Sequence, residues 1–270
     1  MNSISQSVFS LHYLEELSKK KTLIHSMNAG VKLVITLAYL AAVLSMGRYD
    51  VSRLMPFVLY PVVIFSLGEI PVGTMLKRLI PVMPFVIAIG MFNPILDKEV
   101  GVVIGGIIVS RGWISFSTIV IKCSLAVLSV LLLVSTTGID RLAGAMRWAG
   151  VPRLMVTQLL LTYRYISVIA DEGESMVRAY RLRSGTTKGI AIVHMGPMLG
   201  SLLLRALDRA DRVYEAMKLR GFTGEELYFS KIPMDKKSVI YIVVWILFFI
   251  AARMFNIPQI LGDFMMGVKV

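Results

Sequence analysis

The sequence predicts an all-α integral membrane protein, with about five transmembrane helices and a cytoplasmic pair of crossing amphipathic helices. Three observations predict it. The composition is too apolar for a single soluble core. Five apolar runs approach the length of a bilayer crossing. Between the fourth and fifth runs lies a charged segment of about a hundred residues with helical periodicity and an internal repeat.

Of the 270 residues, 56% are hydrophobic and 17% charged, where an ordinary soluble domain has roughly 45–50% and about 25%. Mean hydropathy is +0.72. These values exclude disorder, a collagen-like fibre and a disulfide-framed secreted domain. The one cysteine, Cys123, lies in an apolar run and has no internal partner, so no redox or zinc chemistry rests on it. The net charge of +12 comes from 29 Lys and Arg against 17 Asp and Glu. In a membrane protein such an excess reports cytoplasmic loops that keep their basic residues, so nucleic acid is not expected as a partner. The N-terminal stretch lacks the order basic, apolar, small-residue cleavage site, and no removable signal peptide is expected.

The candidate spans are Val31–Met46, Leu54–Leu67, Ile80–Leu96, Ile114–Ser135 and Ser238–Phe255. The second contains Pro56 and Pro61. The third is broken by Pro81, Pro84 and Asn93-Pro94, which predicts a kinked helix supported by its neighbours. A weaker run, Ile190–Leu204, is interrupted by His194, Gly196, Pro197 and Gly200 and reads as packed on protein or on the membrane surface. Five spans put the termini on opposite sides. Lys19, Lys20 and Lys21, then Lys77 and Arg78, then the sixteen basic residues of Thr136–Lys237 all fall on one side. The positive-inside rule makes that side cytoplasmic, together with the N-terminus. The chain therefore divides into a membrane part, 1–135, a cytoplasmic segment, 136–237, and a last span with its tail, 238–270.

A segment of that length is expected to be folded. Thr137-Gly138-Ile139-Asp140 reads as a turn before an amphipathic stretch, Arg141–Ala149. Gly150-Val151-Pro152 breaks the chain, and Pro152 suits the first turn of a helix running to Arg183. A second helix is expected after Gly196-Pro197, ending near Arg220. The ends of these helices repeat at an offset of 37 residues: Arg178–Ser184 matches Glu215–Gly221, Asp171 matches Asp208 and Glu174 matches Asp211. A stripe repeats too, Ile166, Ala170, Gly173, Val177 and Tyr180 against Leu203, Leu207, Ala210, Tyr214 and Met217. Spacings of four and three keep each stripe on one helical face. The small residues Ala170, Gly173 and Ala210 predict a close helix crossing. Arg183 and Arg220 lie at the helix ends beside Ser184-Gly185 and Gly221, where glycine takes the left-handed conformation that stops a helix. A guanidinium there offers up to five donors in a fixed fork to a carboxylate. One such end alone is ordinary capping; two in register, with matching acids and stripe, read as a duplicated docking device.

Other chemistry finds no constellation. Ser184-Gly185-Thr186-Thr187-Lys188-Gly189 lacks the spacing of a phosphate-cradling loop. His12, His25 and His194 have no metal-ligand spacing. Asp171, Glu172 and Glu174 lack a His, Cys or Ser partner for acid–base work and read as solvated or paired with Arg178 and Arg181. No catalytic and no metal residues are expected. Lys122, deep in the fourth span, has two open readings, functional or helix-packing. A self-contained secondary transporter would predict paired intramembrane charges or inverted repeats among the spans, and the visible repeat lies outside them.

Several strings carry a family resemblance: Ile24-His25-Ser26-Met27-Asn28-Ala29-Gly30-Val31-Lys32-Leu33, Pro84-Phe85 with Asn93-Pro94, Ser135-Thr136-Thr137, Gly150-Val151-Pro152, Tyr163-Arg164-Tyr165, and Asp211 through Phe222. In these the chain resembles the transmembrane (T) subunit of energy-coupling-factor ABC importers, and most of all the cobalt-type CbiQ branch. The resemblance implies two coupling helices whose Ala-Arg-Gly-like ends dock on two ATPase subunits. ATP and metal would be bound by other subunits, with no cofactor held by this chain. Carried over, the ATPase-docking residues are Ala179, Leu182, Arg183, Ser184 and Gly185, and Ala216, Leu219, Arg220 and Gly221. Leu182 and Leu219 stand where the family commonly has alanine. The resemblance further implies a separate substrate-binding membrane subunit for cobalt, a multi-pass place in a prokaryotic cell membrane, and no enzymatic activity of the chain itself. Similar subunits serve nickel and vitamin uptake.

Overall fold

Apolar runs whose backbone groups are all satisfied internally form helices in lipid, and helices dominate the computed structural model of the chain. It describes residues 15–20, 22–97, 99–104, 107–185, 190–223 and 235–255. His12, Lys21, Lys98 and Thr186 to Gly189 lie outside the described residues. These residues divide into two units, one within Leu17–Gly138 and Ile232–Val270, the other within Met1–Glu16 and Ile139–Lys231.

The first unit opens with a short helix α1 (Leu23–Ser26) and α2 (Ala29–Leu44). The Asn28 side chain caps α2 by accepting from the Gly30 N–H at 2.8 Å, as expected of an N-cap asparagine. Next come α3 (Val51–Leu54), a 3-10 turn (Met55–Val58) and α4 (Leu59–Gly68), which together are long and apolar enough to cross a membrane. The proline-broken third span is a bent pair. Its arms are α5 (Val72–Leu79) and then α6 (Met83–Gly90) with α7 (Phe92–Leu96), meeting at 50°. The break falls at Ile80-Pro81-Val82, as a ring without an N–H predicts. The first arm starts at Val72, eight residues earlier than the apolar run suggests, because Lys77 and Arg78 interrupt the run but not the helix.

An antiparallel hairpin, β1 (Val100–Ile104) and β2 (Ile107–Ser110), adds two strands to the all-α class, paired from Val102↔Val109 to Ile104↔Ile107. Val and Ile dominate both runs, and their branched Cβ favours extended backbone. After it, α8 (Arg111–Thr137) is a 27-residue span ending at Gly138, whose φ of +77° stops the helix. The last span is α12 (Lys236–Met254); α9 to α11 belong to the other unit and are given below. Among the described residues three helical stretches, or four if the bent pair is one span, are long and apolar enough to cross a membrane; α2 is apolar but, at 16 residues, shorter than the five-span expectation requires.

An aromatic hub ties α2, the 3-10 turn, α4 and α12 together. Tyr39 stacks on Tyr60 at 4.6 Å, Tyr60 meets Trp245 edge-on at 4.9 Å, and Phe249 lies 5.5 Å from Tyr39. Both Tyr39 and Tyr60 find polar partners, the Phe57 carbonyl at 3.1 Å and the Thr36 hydroxyl at 3.2 Å, as buried phenols require. The Lys32 ammonium, itself buried, donates to the Thr136 carbonyl at 2.9 Å. A cation thereby meets the carbonyl end of α8, where the helix dipole favours it.

Candidate docking site on the crossing helix pair

The second unit contains α9 (Ile139–Trp148), α10 (Arg153–Ser184) and α11 (Ile192–Leu219). Pro152 is the residue before α10, whose 32 residues make it about 48 Å long at 1.5 Å per residue. In α10, burial chiefly and then Glu15 and Asp140 raise the Tyr163 phenol above its ordinary value, so it stays neutral. The second long helix departs from expectation, because α11 begins at Ile192 and carries Pro197 inside it. Proline at this sixth position leaves the Val193 carbonyl without its ladder donor, yet the helix runs on through it.

Both helices stop as glycine dictates. Gly185, φ +63°, donates to the Arg181 carbonyl at 3.1 Å. Gly221, φ +85°, donates to Lys218 at 2.9 Å while Phe222 donates to Met217 at 3.0 Å. The latter two bonds form a Schellman turn, which satisfies the last carbonyls without any side chain. Arg183 is in the last turn of α10, and Arg220 is one residue past the last helical position of α11. Because backbone groups do the capping, neither guanidinium is used for it, and neither makes an ion pair among the described residues. Leu182 and Leu219 are 81% and 90% exposed, and Ala179, Ser184, Gly185, Ala216 and Gly221 are exposed with them.

The helices pack antiparallel in their contacts. Tyr180 of α10 lies 5.7 Å from His194 near the start of α11. A Cβ on Gly173 would stand 3.6 Å from a Leu202 methyl. Glu172, which is 19% exposed, accepts from Arg205 at 3.3 Å with one oxygen and from Arg209 at 3.2 Å with the other. The 28 residues of α11, about 42 Å, therefore separate the α10 tip from the α11 tip.

Gly173 lies in the crossing, with Ala170 half-buried on the same helix. Ala210 does not: it is exposed, as are Leu203, Leu207 and Tyr214 of its stripe, while Leu202, Ala206, Arg209 and Val213 form the less exposed side of α11. From Ile192 to Leu204 the helix is apolar almost all round, so periodicity selects no face there; the Glu172 fork does. Pairing of Glu174 with Arg178 holds, at 3.5 Å, but Glu172 pairs across the helices and not with Arg178 or Arg181. Its signal in the sequence was charge, because Glu172 stands where the repeat has Arg209.

In the membrane unit, Lys122 donates to the carbonyls of Met46 at 2.5 Å and Gly47 at 3.3 Å, just beyond the end of α2. That geometry favours the helix-packing reading. Of the histidines, His25 is buried against Thr22, 2.7 Å from its hydroxyl. Among the described residues no cluster of three His, Cys, Asp or Glu is placed to hold a metal ion.

Apolar helices long enough to cross a bilayer define a multi-pass membrane protein, and its second unit holds two long helices with exposed ends. The cobalt transport protein model, CbiQ, matches residues 20–229. The chain belongs to the CbiQ cobalt transport protein family. It is similar to the cobalt transport protein CbiQ of Rhodobacter capsulatus, 32% identical over 41% of this chain, and spans about half that relative's length (45%). It is 24% identical to the uncharacterized protein MJ1571 of Methanocaldococcus jannaschii over 86% of this chain and 82% of that one. Against the energy-coupling factor transporter transmembrane protein EcfT of Ruminiclostridium cellulolyticum it is 23% identical, over 76% and 81%.

Proposed function

We propose that this chain is the coupling subunit of an energy-coupling-factor importer, and that it transmits ATP hydrolysis by two partner ATPase subunits to a separate substrate-binding membrane subunit. One observation carries the reading: two exposed Leu-Arg tips, whose guanidiniums make no ion pair among the described residues, stand at the ends of a crossed helix pair. Each tip meets one ATPase subunit in a groove that offers carboxylates to the arginine and an apolar wall to the leucine. ATP is bound by those partners, and the cargo by the substrate-binding subunit. Cobalt ion is the cargo that the family and the CbiQ relatives favour. The basic residues of the helix pair and the N-terminus face the cytoplasm, following the charge asymmetry of the loops. Closing of the ATPase pair moves the tips, and the helix pair passes that motion to the membrane part.

The test is affinity purification of the tagged chain in mild detergent, followed by ATP-driven uptake of cobalt ion in proteoliposomes. Arg183→Glu and Arg220→Glu are run beside the wild type. Truncating one side of a partly desolvated ion pair costs about 2–5 kcal/mol, a weakening of roughly 30-fold or more. Each variant is expected to lose ATPase subunits and uptake while still inserting in the membrane. Retention of both by both variants would overturn the docking assignment; uptake without ATP would overturn coupling. Uptake of nickel ion or a vitamin in place of cobalt would keep the mechanism and change the cargo.

A further inference from the structure

A single carboxylate, that of Glu172, bridges the two long helices. The repeat at 37 residues matches acid with acid at Asp171/Asp208 and Glu174/Asp211, yet between them it puts Glu172 in α10 opposite in charge to its equivalent, Arg209, in α11. These two equivalent residues are the ones that meet, at 3.2 Å. Where two like helices cross about an approximate two-fold axis, a position on the axis touches its own counterpart. Two acids or two bases there would repel; an acid against a base is attractive. Arg205, one turn earlier, takes the second carboxylate oxygen at 3.3 Å, so Glu172 spans a full turn of α11. The Arg209 Nε is buried without a partner among the described residues, which leaves Glu172 as the counter-charge of that guanidinium. Gly173, next in sequence, has no side chain to hold Leu202 away from the joint.

We infer that Glu172 is a positioning residue for coupling: its fork to Arg205 and Arg209 fixes where α11 crosses α10 and therefore how the two tips stand to each other. This inference rests on the coupling reading above. A rigid crossing makes the displacement of one tip a displacement of the whole pair; a slack crossing lets each tip move alone, and hydrolysis proceeds without moving cargo.

The experiment uses the reconstituted complex and the isolated chain. In the complex, Glu172→Gln is expected to retain both ATPase subunits and their hydrolysis, while cargo moved per ATP falls by about five-fold or more. A merely structural role would lower assembly and hydrolysis together. In the isolated full chain with Cys123→Ser, spin labels at Leu182→Cys and Leu219→Cys report the distance between the tips. The wild-type fork gives one narrow distribution, and Glu172→Gln broadens it. The exchanged variant, Glu172→Arg with Arg205→Glu and Arg209→Glu, restores both the narrow distribution and the cargo moved per ATP. It serves equally if Glu172→Gln alone fails to fold. Unchanged cargo per ATP and an unchanged distribution in Glu172→Gln would overturn the inference, and so would a folded exchanged variant that stays broad. A wild-type complex that moves cargo without ATP would instead remove the coupling reading, while the distance measurement still decides whether Glu172 holds the tips.

Discussion

Gly112, at the second position of α8, shows how tightly single residues are held in the membrane unit. A Cβ there would fall 2.6 Å from the carbonyl oxygens of Asn93 and Asp97 and from the Pro94 Cα. All three are backbone atoms and cannot turn aside, so Asn93-Pro94, one of the strings that mark the family resemblance, works as a surface on which α8 starts. Gly90 meets only the Phe116 ring at 2.8 Å, a side chain that can rotate away. Overpacking typically costs about 1–3 kcal/mol, and in a chain of this size each kcal/mol lowers the melting midpoint by about 2–4 °C. Gly112→Ala should therefore melt clearly below the wild type in detergent, and Gly90→Ala should melt between the two. Equal midpoints for all three would show that α7 does not seat on α8 in this way. At the same scale, Lys122 answers a question its sequence position leaves open. Charge in a span demands a partner, and here the partners are the Met46 and Gly47 carbonyls, just beyond the end of the 16-residue α2.

At the scale of elements, the helix ends were legible in the sequence and the packed faces were not. Gly138, Gly185 and Gly221 all adopt positive φ and end helices where their position beside basic or polar residues predicts. Left-handed backbone is a local property, so local sequence reports it. The face of α11 depends on a distant carboxylate, and an all-round apolar stretch from Ile192 to Leu204 hides it. Pro197 looked like a boundary because an interior proline forfeits a ladder bond; the local sequence does not state that the helix continues through it. The hairpin β1–β2 carried its Val- and Ile-rich signal around Gly105-Gly106, but between long apolar spans such a run reads as a loop. The end of α11 also makes a testable point. Gly221→Ala forces a Cβ into left-handed backbone at roughly 1–2 kcal/mol, although nothing lies within 4 Å of it. The Schellman turn should open and Arg220 lose its fixed aim, so on the coupling reading ATPase binding should weaken while the melting midpoint falls by only a few degrees, less than in Gly112→Ala. Wild-type binding by Gly221→Ala would mean that the turn does not aim the arginine.

At the scale of the molecule, the membrane unit is held by polar bonds that the apolar pattern does not disclose. The first span was legible from its hydrophobic residues, yet the residues that join it to the others are Lys32, Thr36 and Tyr39. Thr36 shares a bond with Tyr60, Tyr39 reaches the Phe57 carbonyl, and Lys32 reaches Thr136 at the far end of α8. Lipid offers helices no hydrophobic drive toward one another, so packing and interhelical hydrogen bonds must supply association. Lys32 matters most because its acceptor lies two residues before Gly138, where the chain leaves the last turn of α8. Lys32→Met keeps the length and apolar stem of the side chain but removes the ammonium, leaving the Thr136 carbonyl without its buried donor. An unsatisfied buried group costs about 1–3 kcal/mol. The variant should melt lower in detergent. Hydrogen exchange should rise in the last turn of α8, while the exposed tips of α10 and α11 keep their wild-type exchange. Faster exchange spread evenly over every span would show that Lys32 supports the bundle as a whole; a rise confined to Ser135–Gly138 would locate its work at the point where the membrane helix ends.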